Sequence, residues 1–146
     1  DFLQKYFKKE LFFTDVEGKT KEEVLKNLCR KVEQEKGLPE TFTASVLKRE
    51  ELTPTDYGNL VALPHPERAF QERAFVAVAV LKEPIFWFRQ KVQVVFLTAI
   101  GREEDENLQQ FYEATTDLIL RPADVQNLIR HPDYDRLIQL LRRAEE

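Results

Sequence analysis

With 146 residues, 42% of them hydrophobic and 33% charged, the chain fits one domain whose core needs neither disulfide nor metal, and eleven phenylalanines argue against a disordered segment. A formal charge of −4 and a pI near 5.4 argue against a phosphate-backbone binder, which clusters Lys and Arg on one face, so no direct nucleic-acid contact is expected. No run reaches the roughly 18 apolar residues of a membrane helix and no charged-then-apolar signal opens the chain, so no membrane contact and a cytoplasmic location are expected.

Phe2, Leu3, Tyr6 and Phe7 share a helical spacing that predicts a short lead-in helix, with Lys5, Lys8 and Lys9 on its solvated face. Leu11-Phe-Phe13 reads as a first strand, closed by Gly18. Thr20-Lys-Glu-Glu23 has the capping-box form and Lys36-Gly37 with Pro39 beyond has the matching stop, which predicts a helix over 21–36 with the lone Cys29 in its apolar series. Phe42, Val46 and Leu47 predict a second helix over 40–51, ending with Arg49 and Glu50 at a terminus that faces a loop.

Thr53 to Asn59 is rich in turn residues and leads into a short strand, Leu60 to Leu63, whose far end presents His65 between Pro64 and Pro66. Ala74 to Leu81 and Val92 to Ala99 are near-continuous apolar runs, as in strands covered on both faces. Leu108, Phe111, Tyr112, Thr115, Leu118 and Ile119 predict a helix, the acidic run Glu103 to Glu106 suits its first turn, and two shorter helices begin near Pro122 and Pro132. This order predicts an α/β fold: three layers, α/β/α, with a mixed sheet between helices and one domain over 1–146. The chain opens at Asp1 without a methionine and contains none, so it reads as a piece of a longer polypeptide.

His65, His131 and Cys29 lack the close spacing of a metal site, the one serine lies inside a helical pattern, and the four glycines form no phosphate loop, so neither metal nor cofactor is expected. His65 has two readings: a structural histidine satisfied by a backbone carbonyl, or a nucleophile whose free ring nitrogen accepts and surrenders a phosphoryl group. Arg49 likewise either pairs with Glu50 or Glu51 on the surface, or offers a planar, permanent charge to phosphoryl oxygens.

Arg49-Glu50, Thr55, Tyr57-Gly58-Asn59 and Val61-Ala-Leu-Pro-His65-Pro66 together resemble the active-site segment of the fructose/mannitol-type enzyme IIA domains (EIIA type 2) of the sugar phosphotransferase system. The likeness continues through Val76 to Leu81, Lys82-Glu-Pro-Ile85, Trp87 and Val92 to Leu97, and covers about residues 10 to 142. It implies a mixed sheet between helical layers, phosphorylation on His65, stabilisation of the phosphoryl group by Arg49, the phosphocarrier HPr as donor and an enzyme IIB as acceptor. Transporter members carry a second active-site histidine where this chain has Asn107. The stretch Thr55 to Pro66 is more similar to versions of the domain at the C-terminus of transcriptional antiterminators and activators of the BglG/LicR type. The resemblance therefore implies a phosphohistidine-accepting regulatory domain that works on the other domains of its parent regulator, the alternative being a transporter component that hands phosphate from HPr to enzyme IIB.

Overall fold

The computed structural model describes residues 2–143; Asp1, where the chain opens, and residues 144–146 lie outside the described residues. In chain order the elements are α1 (Leu3–Tyr6), β1 (Phe7–Phe13), α2 (Lys21–Lys36), α3 (Thr41–Leu52), β2 (Asp56–Gly58), β3 (Val61–Ala62), β4 (Phe75–Phe86), β5 (Lys91–Ala99), α4 (Leu108–Ile119), α5 (Pro122–Arg130) and α6 (Tyr134–Arg143). The strands form one sheet ordered β1-β4-β5-β3-β2. It is mixed: β1 is parallel to β4 and β3 to β5, while β4–β5 and β2–β3 are antiparallel.

Side-chain alternation along β4 divides the interior into two cores. Val76, Val78 and Val80 pack with Val94, Phe96, Phe111, Leu118 and Leu141 beneath α1 and α4 to α6, whereas Phe75, Ala77, Ala79 and Leu81 pack with Leu25, Leu28, Phe42 and Val46 beneath α2 and α3. Three layers with a mixed sheet between them is therefore the architecture, as the residue pattern predicts. In β5 the alternation slips, because Val92 and Val95 share a core while Val94 faces the other. The N–H groups of Gln93 and Val94 both donate to the Leu60 carbonyl (2.8 and 3.0 Å), and the buried Gln93 amide donates to the Leu81 and Lys82 carbonyls where the β4–β5 register shifts.

The α2 helix has its limits written locally. Thr20 Oγ1 accepts the Glu23 N–H, and Gly37 takes the left-handed conformation (φ 66°) while donating to the Glu33 carbonyl. For α3 the cap comes from a neighbour: Glu33 Oε2 accepts both the N–H (2.9 Å) and the hydroxyl (2.6 Å) of Thr43.

Three expectations are corrected. The acidic run Glu103 to Glu106 lies ahead of α4, whose first turn from Leu108 holds no acidic residue. The first strand begins at Phe7 rather than Leu11, so the helix ends at Tyr6 and Lys8 and Lys9 are exposed on an edge strand, where lysines discourage pairing with another chain. Within the turn-rich segment, Asp56–Gly58 folds as a short strand against β3.

Candidate functional site

His65 stands just beyond the carboxyl end of β3, which runs parallel to β5, so it emerges beside the end of that strand: the Thr98 N–H donates to the Pro64 carbonyl (3.0 Å). The approach is fixed from both sides. Before it, Gly58, Asn59 and Leu60 take successive positive φ angles of 128°, 52° and 69°. For a leucine this conformation is strained and persists only where the surroundings over-determine it. Here the Asn59 amide donates to the Ile119 carbonyl (2.6 Å) and the Leu60 carbonyl receives two N–H groups from β5. After His65, the Glu67 N–H donates to the buried Ser45 hydroxyl (2.7 Å), which ties the segment to α3.

The half-buried imidazole places Nδ1 3.2 Å from the Leu63 carbonyl. A carbonyl only accepts, so Nδ1 carries the proton and the neutral ring keeps its lone pair on Nε2. The carbonyl thus occupies one ring nitrogen and leaves the other with a lone pair. The ring lines a cavity of about 250 Å³ together with Leu63, Thr98, Ile100, Phe111, Tyr112, Thr115 and Thr116.

Arg49 lies one turn beyond Ser45 on the same face of α3. Its guanidinium donates to the Thr53 carbonyl (2.8 Å), and among the described residues no carboxylate lies within ion-pair distance of it. Glu50, the partner that adjacency suggests, is buried and turned elsewhere. Its carboxylate accepts the Thr55 N–H (2.7 Å), the Thr55 hydroxyl (2.6 Å) and the Trp87 indole N–H (3.0 Å), with Lys21 Nζ at 3.7 Å. Sequence reasoning names Glu50 only as a neighbour of Arg49. Trp87 lies 37 positions away, so no local pattern betrays their bond.

One wall of the cavity belongs to α4. The Thr115 and Thr116 hydroxyls donate back to the carbonyls of Phe111 and Tyr112 (both 3.0 Å), leaving methyl groups and rings toward the cavity. Burial raises the Tyr112 phenol above its ordinary pKa, so it stays neutral. Asn107 precedes Leu108 at the start of this helix, its N–H donating to Asp105 Oδ1 (2.9 Å), and it is not among the residues lining the cavity. Asp105 also accepts the Tyr6 hydroxyl (2.5 Å), which ties α1 to the start of α4.

Fold and site together define a three-layer α/β/α domain that presents one half-buried histidine at the carboxyl end of a strand, against a largely apolar cavity. The chain belongs to the family described as phosphoenolpyruvate-dependent sugar phosphotransferase system, EIIA 2, whose model matches residues 5–144. It is 38% identical over 133 residues, 91% of its length and 21% of the relative's, to a probable licABCH operon regulator of Bacillus subtilis. It is 27% identical over 120 residues, 82% of its length and 18% of the relative's, to the transcriptional regulator ManR of the same organism. The chain thus spans about a fifth of the length of these curated relatives. Its fold is similar to that of Escherichia coli enzyme IIAMTL, solved in complex with phosphorylated enzyme IIBMTL, with a TM-score of 0.75, 19% identity and coverage of 92% and 97% of the two chains. Among the described residues no helix is long and apolar enough to cross a membrane.

Proposed function

We propose that this domain accepts a phosphoryl group on Nε2 of His65 from the sugar phosphotransferase chain and serves as the regulatory input of a longer, cytoplasmic transcriptional regulator. The observation that carries the reading is the His65 imidazole with Nδ1 engaged by the Leu63 carbonyl and its lone pair on Nε2. That lone pair attacks phosphorus on the phosphohistidine of HPr; the new N–P bond forms as the donor's N–P bond breaks, and the donor imidazole leaves with the electron pair. Such transfers depend on positioning and on neutralising the equatorial oxygens, and Arg49 is the cation assigned to that task. Asn107 stands for the second histidine of transporter members and offers an uncharged amide in its place. A domain carrying about −1.5 to −2 additional charge on His65 then makes different contacts with its neighbouring domains.

Identity to two regulators supports this reading. A second reading, a carrier passing phosphate from HPr to an enzyme IIB, draws on the likeness to enzyme IIAMTL. Incubation with phosphoenolpyruvate, enzyme I and HPr tests both. The domain takes an acid-labile, alkali-stable label that His65→Ala abolishes; label persisting in that variant places the acceptor elsewhere. Rapid loss of label to an added enzyme IIB favours the carrier.

A further inference from the structure

Glu50 is a buried carboxylate that touches neither His65 nor Arg49 by any hydrogen bond or ion pair, yet its bonds converge on the backbone between them. Through Thr55 it grips the middle of the loop that joins α3 to β2. Two residues before Thr55, the Thr53 carbonyl receives the Arg49 guanidinium (2.8 Å). At Thr55 itself the carbonyl receives the Leu63 N–H (3.0 Å), and Leu63 is the residue whose own carbonyl orients the His65 ring. The Trp87 indole anchors the carboxylate from the β4–β5 turn.

We infer that Glu50 is a positioning residue for phosphoryl transfer, holding the 53–55 loop so that the guanidinium of Arg49 and the imidazole of His65 keep a fixed mutual geometry. This rests on the function proposed above. It acts through hydrogen-bond geometry rather than through its charge. A glutamine fits the same constellation, its Oε1 accepting from Thr55 N–H and Trp87 and its Nε2 donating to the Thr55 hydroxyl, which can accept as well as donate.

The test is the rate of His65 labelling as a function of phosphorylated HPr concentration, below the melting temperature of each variant. Glu50→Ala lowers the saturated rate on the order of 10- to 100-fold with the half-saturating concentration changed less than about twofold, because displacement near the reacting centre affects the transition state rather than encounter. Glu50→Gln restores the rate to within about threefold of wild type. In an Arg49→Ala background, Glu50→Ala adds less than about threefold, since coupled residues are not additive. Thr55→Val removes one donor and keeps the carboxylate, so it reports even where Glu50→Ala does not fold; it slows labelling about three- to tenfold. A wild-type rate in Glu50→Ala or Thr55→Val, failure of glutamine to restore, or full additivity with Arg49→Ala overturns the inference. Absence of label on the wild-type domain overturns the function reading instead.

Discussion

The two regions that hold the 63–67 segment are built from opposite chemistry. On one side, the end of α3 and the 53–58 loop carry a guanidinium, a buried carboxylate and a network of charged and neutral hydrogen bonds. On the other, α4 presents Phe111, Tyr112 and two threonines whose hydroxyls are spent on their own helix. Polar interactions lose most of their value when water competes, and apolar contacts gain theirs by excluding it. The α4 wall therefore contributes stability and a dry surface, and the end of α3 carries the charged groups that the proposed transfer calls on. Substitutions should separate along this line.

The largest effect belongs to the apolar wall. Phe111 is fully buried, stacked on Tyr6 at a 4.7 Å centroid distance and edge-on to Phe7 at 6.1 Å. Phe111→Ala leaves a cavity between α4 and the sheet and lowers stability by about 3–5 kcal/mol in urea titration, a large share of the total for a domain this size. A loss below about 1 kcal/mol would deny this wall its structural role. Next comes Arg49→Ala, which reverses the pattern. Its side chain donates to a single exposed carbonyl, so stability stays within about 0.5 kcal/mol. Labelling of His65 slows by about 10- to 150-fold, the equivalent of a charged hydrogen bond of about 1.5–3 kcal/mol lost from the transition state. Unfolding of this variant would move Arg49 to the structural side.

A third effect comes from the seam that ties α1 to the apolar wall. Burial, followed by the hydrogen bond to Asp105, raises the Tyr6 phenol well above its ordinary value of 10.0. The folded state holds this proton more tightly than the unfolded chain, so the contribution is intact below pH 10 and falls as pH rises above it. The slope is about 1.4 kcal/mol per pH unit while the folded phenol keeps its proton. Urea midpoints measured from about pH 9 to about pH 11 should drop, and Tyr6→Phe should flatten the drop; an equal slope in both proteins would assign it to other phenols.

The elements legible in the sequence are those whose limits are encoded within a few residues. For α2, Thr20 and Gly37 lie next to what they cap, and the alternation of β4 separates the two cores with no reference to the helices that cover them. Asp56–Gly58 was not legible as a strand, because its pairing depends on the left-handed run at Asn59 and Leu60, which is held by Ile119 and by β5. The early start of β1 was hidden by Lys8 and Lys9, whose exposure follows from an edge position that only the sheet order reveals. At the site, Pro64-His65-Pro66 announces itself, whereas the Glu50 hub is assembled from Lys21, Thr55 and Trp87. Partners so far apart leave no periodic trace.

The smallest effect concerns Asn107, which stands at the start of α4. Its side chain makes no cap hydrogen bond at the start of α4, and its backbone N–H is already satisfied by Asp105. The helix therefore gains little from the amide, and Asn107→Ala should change stability by less than about 0.5 kcal/mol. If the amide meets a phosphoryl oxygen during transfer, it contributes one neutral hydrogen bond, worth about 1 kcal/mol, and the substitution slows labelling by no more than about fivefold. Asn107→His puts a titratable ring there. A gain in onward transfer to enzyme IIB, with labelling of His65 unchanged, would mark this position as what separates a switch from a carrier within one fold; a tenfold loss of labelling in Asn107→Ala would instead place a functional polar group on the otherwise apolar α4 wall.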